Sequence, residues 1–175
     1  MVSKTVGRVS ISRKLILLVL GVSCLMLPAV SHATNNCPWL NEATARGILR
    51  GPVTVTVKLD DQGSGVCKFA HQQGAAVHEL RISVTLMTNI PKQFTAYLAQ
   101  CPPKSPALPA TGNEAVTCTT HTKENHYAEI VVGRVRDQAF VVGVSSINQD
   151  DSSMTQVMRR EKANLTAEMV AGILF

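Results

Sequence analysis

The chain of 175 residues carries 17 Lys+Arg against 12 Asp+Glu, a formal charge of +5, but the excess sits at one end. Lys4, Arg8, Arg13 and Lys14 all precede an apolar run, which leaves 13 Lys+Arg against 12 Asp+Glu in residues 34–175. That near-neutral remainder has no basic run longer than Arg159-Arg160, so it lacks the clustered positive footprint of a nucleic-acid binder, and no nucleic acid is expected as a partner.

The first predicted segment is a secretory leader. The four basic residues form its n-region, Leu15 to Leu27 its apolar core, and Ser31-His32-Ala33 supplies small residues at the −3 and −1 positions of a cleavage site. Residues 1–33 are therefore expected to be a signal peptide and residues 34–175 a single α+β domain, periplasmic or secreted, with no transmembrane segment after cleavage. Two competing readings keep the protein on the membrane. An uncleaved anchor meets the objection that the apolar run falls short of about 20 residues and is interrupted by Pro28. Lipidation of Cys24 meets the objection that Gly21 stands where such signals usually have leucine.

Four cysteines follow the leader: Cys37, Cys67, Cys101 and Cys118. An even count in an exported chain predicts two disulfides, and no two of them stand at the short spacing of a metal site. After Cys37-Pro38 a short helix is expected. Asn41 caps it, Leu40 staples onto Ala45, and Gly51-Pro52 stops it. Val53, Val55, Val57 and Leu59 alternate with Thr54, Thr56 and Lys58, as in a strand with one buried face. Asp60 to Gly65 is a turn. The next strand holds Cys67 and Phe69 on one side, and a third, Glu79–Met87, directs Leu80, Ile82, Val84 and Leu86 inward.

A second helix starts at Pro91, with Phe94, Tyr97, Leu98 and Cys101 on one stripe, and ends at Pro102-Pro103. The proline-rich segment to Thr111 reads as a stiff, extended connection. Gly112-Asn113 turns into a strand at Ala115–Thr120, and His121 to His126 is a polar turn. The best strand pair comes next, Ala128–Val135 and Ala139–Ser145, folded back at Arg136-Asp137-Gln138. Placing Ala128, Ile130 and Val132 on the same side as Phe140, Val142 and Val144 requires an odd loop of about three residues, with Val132 near Val142. Gly133 and Gly143 on the other side allow close approach to the backbone. The tail from Ser152 is helical, with Met154, Val157, Met158, Leu165 and Met169 on one side and a break expected near Asn164-Leu165-Thr166.

These elements give an α+β fold, an antiparallel sheet of five or six strands with three helices packed on it. The echo of LNEATARGIL in LTAEMVAGIL, with three strands after each of the first two helices, hints at a duplicated helix-plus-three-strand unit. Four cysteines permit three connectivities. The elements favour Cys37–Cys67, pinning the first helix to the first meander, and Cys101–Cys118, clamping the proline segment between the second helix and its strand.

Side chains that carry chemistry are scattered. His71, His78, His121 and His126, with Glu124, invite a metal reading, but the spacings H-x₆-H and H-x₄-H are not specific, and exposed loop histidines explain them. Asp60-Asp61 lacks the regular oxygen offsets of a calcium loop and reads as a turn. Ser145-Ser146 follows a strand without a G-x-S-x-G elbow, and neither a P-loop nor a dinucleotide fingerprint occurs. Trp39 is expected to pack against the Cys37 disulfide, and Arg134 and Arg136 to be solvated. No catalytic, cofactor-binding or metal-binding residue and no cofactor is assigned.

The frame Cys37-x-x-Leu40-Asn41-x-x-x-Ala45-x-x-x-Leu49, the later Gly112-Asn113-Glu114-Ala115 and the hairpin GRVRDQAFVVGVS together resemble exported bacterial domains of unknown function. Small actinobacterial lipoproteins with a PsbP-like sandwich are among them. The resemblance covers most of residues 34–175 and implies helices packed on an antiparallel sheet. It carries over no catalytic residue, and this chain departs from it in lacking a lipobox. The function expected is a non-enzymatic envelope module binding a protein or small ligand. The alternative is a hydrolase or metal-dependent enzyme whose site assembles from His71, His121, Glu124 and His126.

Overall fold

A computed structural model describes residues 36–121 and 127–175, so the leader, Cys24, Glu124 and His126 lie outside the described residues. In chain order these residues form α1 (Glu42–Leu49), β1 (Thr54–Leu59), β2 (Gly65–Gln73), β3 (Ala76–Leu86), α2 (Ile90–Leu98), β4 (Glu114–His121), β5 (Tyr127–Val135), β6 (Gln138–Ser146) and α3 (Gln156–Leu174). The helix starts follow their caps. Asn41 Oδ1 accepts from Thr44 N at 2.8 Å, Asn89 precedes α2 with Pro91 in its first turn, and Thr155 Oγ1 accepts from Met158 N at 3.3 Å.

All six strands join one antiparallel sheet in the order β1-β2-β3-β6-β5-β4. Two three-strand meanders thus meet along β3 and β6, which is the strand pattern a duplicated unit requires. The helices depart from that repeat. α1 packs with one core and α2 with the other, on opposite sides of the sheet.

The central hairpin differs from the expected register. Its loop has two residues, Arg136 and Asp137, and Val132 faces Val141 while Val131 faces Val142. An even loop exchanges the faces. Val131 and Val135 join Phe140, Val142 and Val144 in the core shared with α1 and α3, whereas Ala128, Ile130 and Val132 join Ala139 and Val141 beneath α2. A loop this short needs positive φ, which Arg136 adopts at +54° although it is not glycine. Neighbours hold it there: Asn113 Oδ1 accepts from Arg136 N at 2.6 Å, and Asp137 O accepts from Met87 N at 2.7 Å. Gly133 is required on steric grounds, because a Cβ there would stand 2.4 Å from the Phe140 ring across the hairpin.

Three other expectations are corrected. β1 is an edge strand, so Val55 and Val57 are only half-buried and Leu59 is exposed. The proline segment is not merely a connection. Thr117 N donates to Pro106 O at 3.0 Å and Leu108 N to Ala115 O at 2.9 Å, covering the outer edge of β4. α3 runs unbroken and turns a different face inward: Arg159, Ala163, Thr166, Ala167, Val170 and Ala171 are buried, while Val157 and Leu165 are exposed. Small residues let this helix lie close to β5 and β6, and Thr166 Oγ1 bonds back to Lys162 O at 2.7 Å instead of interrupting the helix.

The disulfides are Cys37–Cys67 and Cys101–Cys118, each with a Cα separation of 5.7 Å. The first lies in the larger core beside buried Trp39, the second in the core under α2.

Candidate functional site: a polar row closed by a loop

Strand register brings together residues that are far apart in sequence. His71 pairs with His78, His78 with Ser146, Ser146 with Tyr127 and Tyr127 with His121, forming one cross-strand row at one end of the sheet. Paired residues on antiparallel strands point to the same side, so all five share the face that also carries the larger core. The row begins in β2 and ends in β4. Over it passes the segment from Ile147 to Thr155, on its way from β6 to α3.

Asp151 in that segment is the closing residue. Its Oδ2 accepts from His78 Nε2 at 2.6 Å and from Ser146 Oγ at 2.7 Å. Its Oδ1 accepts from Ser153 N at 2.9 Å and Ser153 Oγ at 2.5 Å. Four donors fill the acceptor sites of one carboxylate. Burial pushes the Asp151 pKa up, but the hydrogen bonds from Ser153, Ser146 and His78 outweigh it and hold the group well below the usual carboxylate range.

A second latch sits beside the first. Arg159, 2% exposed, donates from Nη1 to Met154 O at 2.6 Å and from Nη2 to Gln149 O at 3.5 Å, tying both parts of the loop to α3. Burial draws its pKa down, opposed by the charges of Glu129 and Asp151. Glu129 is fully buried and accepts from Thr119 Oγ1 at 2.7 Å, Gln156 Nε2 at 2.9 Å and Arg160 Nε at 3.0 Å.

The outer surface of the loop is open. Tyr127, Ile147, Asn148, Gln149 and Asp150 line a depression of about 630 Å³. A phenol, two amides and a carboxylate offer donors and acceptors around an aromatic face, which suits a polar ligand.

A Ser-His-Asp grouping invites comparison with a nucleophilic triad, and the geometry differs. In a triad the serine and the carboxylate occupy opposite nitrogens of the imidazole. Here Asp151 Oδ2 and Ser153 Oγ, the latter at 3.3 Å, both meet Nε2, while Nδ1 has no partner among the described residues. Ser146 and Ser153 are donors to a carboxylate, inside a cluster where His78 is 1% exposed. Among the described residues no group of three His, Cys, Asp or Glu side chains is arranged to hold a metal ion.

The remaining sequence candidates fall as follows. His71 is buried, its Nδ1 is 2.8 Å from Pro52 O, and its ring lies 6.1 Å from that of His78. Gly51 makes room for it, since a Cβ there would stand 2.2 Å from His71 Cε1. His121 sits edge-on to Tyr127 at 4.8 Å. Asp60 Oδ1 accepts from Gln62 N and Ser64 N at 2.9 and 2.8 Å, the side-chain turn expected of it. Arg134 bridges to Glu114 at 3.3 Å and lies 5.7 Å above the Phe94 ring, so it is engaged rather than simply solvated. Ser145 points to the opposite face from Ser146.

Sequence reasoning missed Asp151, Ser153, Glu129, Arg159 and the Tyr127 depression. Asp-Asp-Ser-Ser after a strand reads as a turn, and nothing local indicates a partner 73 residues away. Comparison with known protein families, curated proteins and solved structures returned no match.

Proposed function

We propose that this chain is an exported envelope domain that acts by binding, and that the depression bounded by Tyr127 and Ile147–Asp150 receives a small polar ligand. The observation that carries the reading is the construction of that loop. Its outer side chains face solvent around a concavity, while Asp151 and the Arg159 contacts fix its backbone to the sheet and α3. A loop positioned by a rigid scaffold binds without first losing conformational freedom. The four donors around Asp151 are engaged with its carboxylate inside the closed network and are not presented to a reactant.

Export is supported by the leader sequence and by the resemblance to exported bacterial domains, and two disulfides are compatible with an oxidising compartment. No described helix is long and apolar enough to cross a membrane. The near-neutral balance of residues 34–175 argues against nucleic acid as the ligand.

The test is amide NMR on the ¹⁵N-labelled protein, titrated with a panel of mono- and disaccharides and free amino acids. Binding should shift the amides of Tyr127 and Ile147–Asp150, and Asn148→Ala with Asp150→Ala should abolish the shifts. Perturbations centred elsewhere, chemical conversion of a compound, or no response at these amides across the panel would count against the reading.

A further inference from the structure

The sheet has two edges, and they are treated differently. The outer edge of β4 is covered by Pro106–Leu108. β1 pairs with β2 in unbroken register from Thr54↔Ala70 to Leu59↔Gly65, and among the described residues no further strand or loop bonds to its outer side. It contains neither a proline nor a bulge, Lys58 is its one charged residue, and it leaves Leu59 45% exposed with Val55 and Val57 half-buried.

We propose that β1 is the contact between two copies of this chain, pairing antiparallel about a two-fold axis so that the two sheets continue across the interface. The occupant follows from parity and charge. A two-fold axis normal to the sheet keeps the core faces of both copies on one side, so residues must pair with others of their own parity. A register centred on Val57 sets Val57 against Val57 and Val55 against Leu59, extending the half-buried apolar face. On the opposite face it sets Thr56 against Lys58, so no cation meets a cation.

The ends of β1 are complementary in charge. Exposed Arg50, close enough to Lys162 for the two charges to repel, stands before the strand. Exposed Asp60 and Asp61 stand after it. Antiparallel pairing brings the basic end of one copy to the acidic end of the other, twice, whereas a parallel arrangement would oppose like charges.

Sedimentation velocity on the protein produced from the full-length sequence, at concentrations up to about 1 mM, tests this. A monomer–dimer equilibrium that weakens with added salt is expected. Thr56 is exposed and makes no side-chain hydrogen bond among the described residues, so its replacement leaves the fold intact. Thr56→Lys places a lysine against Lys58 of the partner subunit at both symmetry-related positions and should raise the Kd about tenfold, and Thr56→Glu should lower it severalfold. Thermal midpoints matching that of the unsubstituted protein at a dilution where all are monomeric separate this effect from unfolding. A strictly monomeric protein over the whole range would overturn the proposal, as would a dimer indifferent to both substitutions.

Discussion

Asp151 holds a charge in a place where burial opposes it, and the four donors around it decide the balance. His78 comes from β3, Ser146 from β6 and Ser153 from the loop itself, so one carboxylate records the correct placement of three segments. Replacing it by asparagine puts an amide where only donors point. Asp151→Asn should cost roughly 1–3 kcal/mol at neutral pH, read from urea unfolding midpoints. The pH dependence has a definite sign. The folded-state pKa lies below the unfolded value of about 4. The stabilisation is therefore full above that unfolded value and is lost as pH falls from it towards the folded one. The gap between wild type and Asp151→Asn should be constant from pH 7 to about 5 and close progressively below about 4. A gap that persists unchanged into acid would show that the network does not depend on the charge.

Among the elements, α3 shows how packing overrides side-chain size. Its largest apolar residues do not define its buried face. Ala163, Ala167 and Ala171 do, with Arg159 at one end serving as a latch. Lys162 reinforces the placement by donating from Nζ to Ile48 O, one of the carbonyls left open at the end of α1, and burial lowers its pKa. Two substitutions separate the faces. Ala167→Leu forces extra volume between helix and sheet and should destabilise by about 1–3 kcal/mol, while Leu165→Glu on the exposed face should stay within about 0.5 kcal/mol. Thermal or chemical denaturation of the pair checks this, and equal costs would mean that the helix presents a different face.

For the molecule as a whole, one sheet separates two cores of unequal size, and each core holds one disulfide. Cys37–Cys67 closes a separation of 30 residues and ties the segment before α1 to β2. Cys101–Cys118 closes 17 and ties the end of α2 to β4. Loop-closure entropy gives each about 3–4 kcal/mol, with the longer loop slightly ahead. Removing Cys101 and Cys118 together with serine should free the proline segment first. Hydrogen exchange should rise at Leu108 and Thr117, whose amides bond across that edge, before it rises in β3 or β6. Uniform acceleration throughout the sheet would show that the two cores open as one.

Local chemistry along the chain was enough to specify the cap at Asn41, the proline in the first turn of α2, the alternation of Leu80, Ile82 and Val84 in β3, the turn at Asp60, the three helices and a sheet of five or six strands. Each depends on residues within a few positions of one another, where backbone preference and hydrophobic period act directly. The disulfide pairing was also legible, because each bond joins neighbouring elements of one meander. Tertiary structure alone decided the hairpin register, since the two-residue turn at Arg136 is held by Asn113 and Met87 from other elements. It likewise decided which face of α3 is buried, because the close approach to β5 and β6 favours alanine over leucine. The polar row was hidden for the same reason: His71, His78, Ser146, Tyr127 and His121 become neighbours only through cross-strand register, and Asp151 completes the cluster from a loop whose own sequence specifies nothing beyond a turn.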